Sequence, residues 1–276
     1  MEETVFLNNE FLPAKQAKIS ALSPGVLCGV GVFESMRSFK SRIVYFSQHL
    51  KRIKNSSQLM AIGFPYSLDR LTQIIRKSLR ISGLRDAYVR LSLYQRTQGA
   101  DILIIVKEYR PFSLKKYQAG FSAGVSRFRQ IEDSFLSNIK TTNRALYELS
   151  LQEAKNNGFE EAVILNTRGY ICEATRSNIF LAKDKALFTP GLECGCLDGV
   201  TRKVVFDFAK ESKIKLYQGN FTLRDLSSAD EAFLTNSLMG VMPLTRVEGQ
   251  AIANGACGKI TAQFRKKYNL LLKNGI

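Results

Sequence analysis

A lysine and a glutamate occupy positions where their side chains could do chemistry. Lys140 follows a short mixed run, Phe135 to Ile139, and precedes Thr141, Thr142 and Asn143, residue types that favour helix starts. The spacing predicts a strand-to-helix corner, where the amine leaves the backbone as an element begins. A primary amine can form an exchangeable imine with a carbonyl and, once released, can carry a proton. Glu173 falls in Tyr170 to Ala174, a run that predicts a strand with apolar neighbours. A carboxylate there needs a partner, because a buried unpaired charge is relieved by protonation. Taken alone, an ordinary edge-strand glutamate satisfies the same pattern.

The surrounding segments must position these two groups. Ala145, Leu146, Leu149 and Ala154 recur at three- and four-residue steps and predict an amphipathic helix that stops at Asn157-Gly158. Ala162 to Asn166 predicts a buried strand, and Thr167-Arg168-Gly169 a turn into the Glu173 strand. Upstream, Thr4 to Phe11 predicts a hairpin turning at Asn8-Asn9, and Ser23 to Arg37 a glycine-rich loop that runs into a strand. Phe39 to Tyr45 predicts a second hairpin, followed by a helix with Ser47 as its cap that contains His49 and Arg52. Leu68 to Ser82 predicts a helix closed by Gly83. Ala87 to Tyr94 and Asp101 to Val106 predict strands, and Tyr88, Arg90, Ser92 and Tyr94 share one face of the first. A tyrosine and an arginine there could grip a carboxylate, but alternation alone leaves open whether that face is a pocket wall or a solvent row.

Tyr109 to Gln118 breaks the strand pattern with proline and clustered lysines, which predicts a link between two domains. Gly120 to Arg127 is strand-like, Leu187 to Pro190 a short strand end, and Lys203 to Glu211 a helix. The amides at that helix start, aided by its dipole, offer an anion site near Val200 and Thr201. Glu231 to Leu244 predicts a buried strand ending in a polar turn, and Ile260 to Leu272 a basic closing helix.

The 276 residues can bury one large or two medium cores, and a 45% hydrophobic content suits a soluble enzyme. No apolar run approaches bilayer-spanning length, so no membrane partner is expected. The start MEETVFLNNE lacks the basic and apolar regions of a signal peptide, which makes the cytoplasm the expected location. Five irregularly spaced cysteines predict reduced thiols; Cys194-Gly195-Cys196 has no second pair and one histidine, so no metal site is expected. A formal charge of +16 could point to nucleic acid, yet the basic residues are dispersed along the chain. They read as solvated surface, a minority drawing in anionic substrates, with no nucleic acid partner.

KTTNRALYEL from Lys140, followed by EAVILNTRGYICEATRSNIF from Glu161, resembles the core signature of the class IV aminotransferases. These are fold-type IV pyridoxal phosphate enzymes and include branched-chain aminotransferases, D-amino acid aminotransferases and aminodeoxychorismate lyases. The resemblance runs over nearly the whole chain. It implies a two-domain α/β (α+β) protein: a small N-terminal α/β domain at residues 1–110, a linker at 111–119, and a larger sheet-and-helix domain at 120–276 that binds pyridoxal 5'-phosphate. Lys140 would form the Schiff base and move the proton between the substrate α-carbon and C4′ of the cofactor. Glu173 would pair with the pyridine nitrogen and keep it protonated. Arg52 in HLKRI, Val200 and Thr201 in a counterpart of the family's G-I-T-R motif, and Ser237 would hold the phosphate. Leu238 and Phe33 would face substrate, beside the Tyr88 and Arg90 pair, and His49 would be structural. Phe33 stands where many transaminases carry a tyrosine.

Two reactions stay open, with transamination between an amino acid and a 2-keto acid as the leading reading. The other is cleavage of aminodeoxychorismate to 4-aminobenzoate and pyruvate. KTTNR and TNSLMGVMPL resemble the lyase motifs, and Ala145 stands where the branched-chain group usually has tyrosine. Asn143 is shared with the D-amino acid enzymes. The resemblance also implies a homodimer whose pocket is completed by the partner.

Overall fold

The computed structural model describes residues 3–274. The chain divides into two units: the first holds the residues up to Arg110 together with Ile139–Asn143, the second Pro111–Asn138 and Arg144–Asn274. The outer ends of the two expected domains, residues 1–2 and 275–276, lie outside the described residues.

In the first unit, β1 (Thr4–Leu7) and β2 (Glu10–Pro13) form a hairpin through Asn8, whose φ of 55° an asparagine tolerates. A short helix, α1 (Pro24–Leu27), precedes β3 (Gly31–Phe39), which turns back into β4 (Arg42–Ile43). Helices α2 (Phe46–Leu59) and α3 (Leu68–Ser82) follow, then β5 (Ala87–Gln95) and β6 (Ala100–Glu108). The sheet order is β2-β1-β6-β5-β3-β4, with antiparallel pairing. Alternation sorts the side chains: Val89, Leu91 and Leu93 enter a core with Met36, Ile53, Leu71 and Ile75, while Tyr88 and Arg90 stay half-buried on the other face. Burying each such aliphatic side chain contributes roughly 1.5–3 kcal/mol. Ser67 caps α3 by accepting the Arg70 N–H at 3.1 Å, and Gly83 ends it at φ 66°. Ser47 does not cap α2. It lies inside the helix with its hydroxyl on Gln48, because left-handed Tyr45 takes the cap position.

In the second unit, the stretch expected as a linker holds α4 (Leu114–Ala119), started by Ser113, whose hydroxyl accepts the Lys116 N–H at 3.1 Å. The order is then β7 (Phe121–Gln130), α5 (Ala145–Asn156), β8 (Glu161–Asn166), β9 (Ile171–Ala174), β10 (Asn178–Lys183) and β11 (Ala186–Pro190). After these come α6 (Val200–Glu211), β12 (Leu216–Gly219), α7 (Leu223–Ser227), β13 (Glu231–Asn236), β14 (Gly240–Val247), β15 (Gln250–Ala251) and α8 (Lys259–Asn274). The sheet is mixed and runs β12-β11-β10-β13-β14-β7-β8-β9, with β15 on β14 and β7 parallel to both of its neighbours. Every residue of β8 and β9 is buried, as their apolar runs require. Helix α5 is rotated from the expected face. Ser150, Leu151 and Ala154 point inward and Leu149 is 49% exposed, because Ser150 Oγ pairs with Ser126 Oγ of β7 at 2.7 Å. Helix α6 starts at Val200, not Lys203, so Val200 and Thr201 lie in its first turn behind Gly199.

Candidate active site

Lys140 does not sit at a strand-to-helix corner. Strand β7 ends at Gln130 and α5 begins at Ala145, and the lysine lies between them on a segment that joins the first unit's sheet. The Phe33 N–H donates to the Lys140 carbonyl at 2.9 Å, the Thr142 N–H donates to the Gly31 carbonyl at 2.8 Å, and Thr141 bridges Val32. The hydroxyls of Thr141 and Thr142, expected to start a helix, donate to the carbonyls of Gly31 at 3.0 Å and Gly29 at 3.2 Å. This approach depends on Gly31, where a Cβ would fall 2.6 Å from Thr142 Oγ1.

Lys140 and Arg90 both lie against Phe33 of β3, and the register of β3 and β5 sets Tyr88 further along the same strands. Phe33 lies opposite Ser92, Ser35 opposite Arg90, and Arg37 opposite Tyr88. Lys140 Nζ is 4.7 Å from the centroid of the Phe33 ring, and the Arg90 guanidinium carbon is 4.0 Å from it. Arg90 Nε donates to Ser92 Oγ at 3.1 Å, and Ser35 Oγ lies 3.4 Å from Tyr88 OH.

The next residue of β3 points the other way. Glu34 is fully buried and meets α2, where its carboxylate accepts Arg52 Nε at 2.6 Å and Nη2 at 2.7 Å, with His49 Nδ1 2.7 Å away. Burial alone would push this carboxyl up; the Arg52 guanidinium and His49 overcome that and hold it at about 2. Burial pushes the His49 imidazole down against the pull of Glu34, so it stays neutral at pH 7. Arg52, expected on a phosphate, thus commits two of its five donors to Glu34. The sequence signal for this triad was the i, i+3 spacing of His49 and Arg52 on one helix face, combined with a charged residue in an apolar strand.

In the second unit Glu173 is buried on β9 and opposite Ile164 of β8. Its Oε1 accepts the Tyr147 hydroxyl at 3.0 Å, and its Oε2 accepts the Leu197 N–H at 3.1 Å and Asn178 Nδ2 at 3.5 Å. Asn178 Nδ2 also donates to the Leu197 carbonyl at 2.7 Å, which ties the Glu173 strand to the loop before α6. A Cβ on Gly199 would fall 2.1 Å from Asn178 Oδ1, so this loop packs down only with glycine there. Val200 and Thr201 follow at the helix start, both buried. Ser237 and Leu238 lie in the turn from β13 to β14, where Asn236 Oδ1 accepts the N–H groups of Leu238 at 3.0 Å and Met239 at 2.9 Å. Tyr147 and Asn178 were not singled out from sequence: a tyrosine in an amphipathic helix and an asparagine opening a strand carry no signal of their own.

Residues 31–247, a span that includes Lys140 and Glu173, match the class IV amino-transferase family. A putative branched-chain-amino-acid aminotransferase of Methanocaldococcus jannaschii is 30% identical over 274 residues, covering 96% of this chain and 94% of that protein. The aminodeoxychorismate lyase of Bacillus subtilis is 27% identical, covering 99% and 96%. A branched-chain aminotransferase from Thermoproteus uzoniensis, solved with norvaline, superposes with a TM-score of 0.91 at 26% identity, covering 99% of this chain and 96% of that one. The chain therefore belongs to the class IV aminotransferase family of enzymes, and its two-sheet α/β architecture is fold-type IV.

Proposed function

We propose that this enzyme is a transaminase that moves an amino group between an amino acid and a 2-keto acid, with pyridoxal 5'-phosphate bound covalently to Lys140. The observation that carries the reading is the family match across 31–247, joined to a branched-chain aminotransferase relative that spans almost the whole chain.

The residues present suit this cofactor. Helix α6 opens on Gly199, which has no side chain to cap its first amides, and Thr201 adds a hydroxyl: a donor set suited to a phosphate dianion. Glu173 is a buried carboxyl that accepts from the Tyr147 hydroxyl and the Leu197 amide, and as an anion it would suit a protonated ring nitrogen. When bound, pyridoxal phosphate supplies an electron sink for bonds at the substrate α-carbon. Lys140 would anchor it and, as a free amine, take and return the α-proton. Glu173 would keep the proton on the ring nitrogen. Val200, Thr201 and Ser237 would bind the phosphate, with Arg52 steered by Glu34. Phe33, Tyr88, Arg90 and Leu238 would face substrate, where Arg90 offers a planar fork to a carboxylate. The same reading carries a homodimer and a cytoplasmic location; among the described residues, no helix is long and apolar enough to cross a membrane.

The test is a half-reaction. Enzyme loaded with pyridoxal phosphate and given an amino donor without a keto acid should convert its cofactor to pyridoxamine phosphate and stop. A keto acid should then restore the first spectrum. The second reading, aminodeoxychorismate lyase, is favoured by the Bacillus subtilis relative. Continuous release of 4-aminobenzoate and pyruvate without an acceptor, and no spectral change with any amino acid, would replace the first reading with it.

A further inference from the structure

We propose that Tyr147 is a positioning residue for Glu173, fixing through its phenol the carboxylate that would hold the cofactor's ring nitrogen. The inference rests on the pyridoxal phosphate reading and deepens it. The terminal torsion of a glutamate is broad and roughly two-fold, so an isolated carboxylate swings between orientations. Here each oxygen has its own donor. Tyr147 OH reaches Oε1 at 3.0 Å from the first turn of α5, and the Leu197 N–H reaches Oε2 at 3.1 Å from the loop before α6. Asn178 supports the second contact by donating to the Leu197 carbonyl at 2.7 Å. Asn178 Nδ2 also reaches Oε2, at 3.5 Å, so removal of the Tyr147 phenol takes a donor from the Oε1 end while those at Oε2 remain.

The chemistry of the donors matters as much as their placement. Both are neutral, so neither would cancel the charge that the cofactor reading sets opposite a cation on the ring nitrogen. Tyr147 stays a donor because burial, reinforced by the Glu173 charge, pushes its phenol well above the ordinary range. Its ring is seated under Arg144, whose guanidinium carbon lies 4.3 Å from the centroid and whose Nη2 donates to the Thr175 carbonyl. The phenol is thus held at one end by this stacking and aimed by the helix at the other.

The experiment compares two ligands on the cofactor-free chain: pyridoxal phosphate and its 1-deaza analogue, which has carbon in place of the ring nitrogen. Tyr147→Phe should weaken pyridoxal phosphate by about tenfold, the value of one charge-assisted hydrogen bond, and the deaza analogue by less than about twofold. In a Glu173→Gln background the same change should add no further selectivity. In the loaded enzyme, kcat of the half-reaction should fall with KM for the amino donor unchanged. Equal weakening of both ligands, no weakening of either, or a Tyr147→Phe chain that fails to fold would make Tyr147 a packing residue and overturn the inference. A wild-type chain that binds neither ligand would instead overturn the cofactor reading, and this inference with it.

Discussion

Replacing Glu34 with glutamine removes the charge on which His49 and Arg52 converge. Two routes give its size. The carboxyl is held at about 2 against an ordinary 4.5; a gap of about 2.5, at about 1.4 kcal/mol for each pH unit, is between about 3 and 4 kcal/mol of native-state stability. Removing one partner from a buried ion pair costs about 3–5 kcal/mol, and the 16% exposure of the Arg52 side chain places this pair at the lower end. Because the folded value is depressed, this stability is fully present above 4.5 and is lost as the pH falls through about 2. Urea unfolding at pH 7 and at pH 3, followed by tyrosine fluorescence since the chain has no tryptophan, tests both statements. At pH 7 Glu34→Gln should lose about 3 kcal/mol, and between the two pH values it should be flatter than wild type. A variant within about 1 kcal/mol of wild type at pH 7, or one with the same acid sensitivity, would refute the reasoning.

Lys140→Ala should abolish turnover, and borohydride reduction of the loaded wild-type enzyme followed by peptide mapping should find the label on Lys140; a label on another lysine would exclude it. Glu173→Gln should slow the half-reaction by about a hundredfold while weakening cofactor binding far less, since the phosphate is held elsewhere, and an unchanged half-reaction rate would remove Glu173 from the chemistry. Gly199→Ala keeps an accessible backbone at φ −67° but drives a Cβ into Asn178 Oδ1, so it should cost about 1–3 kcal/mol and weaken cofactor binding. Wild-type melting and binding would show that the loop does not pack as described. Burial pushes the Glu161 carboxyl up from 4.5, so its ionisation costs the native state stability as the pH rises past that value. Melting curves at pH 5 and pH 8 should therefore move in favour of Glu161→Gln, and a difference independent of pH would contradict this.

Where an element ends was legible because local chemistry decides it. Gly83, Gly158 and Gly169 sit at φ between 66° and 83°, conformations that glycine supplies at low cost, and each marks a boundary read from sequence. The order of motifs singles out the lysine and the glutamate as candidates. What surrounds them in the fold is not readable in the same way. Thr141 and Thr142 could satisfy a helix start next door or carbonyls more than a hundred residues away, and the residue types are the same in both cases. Glu34 is a charge in an apolar strand, but its partners on α2 follow only once that helix is known to lie over β3. The start of α6 was placed late because its cap position is a glycine, and a glycine there announces nothing.

The segment that carries Lys140 completes a sheet begun about 110 residues earlier. A ribosome adding roughly 5–20 residues each second delivers Gly29, Gly31 and Phe33 on the order of ten seconds before Lys140, Thr141 and Thr142. Until then the Gly31 carbonyl and the Phe33 N–H lack their native partners, an omission that costs roughly 1–3 kcal/mol for each group once buried. A fragment cut at Arg110 would keep that deficit permanently, and a synthetic peptide spanning 139–143 should restore part of it. Lys140 and its neighbours are thus fixed only when they reach a strand that has already waited for them.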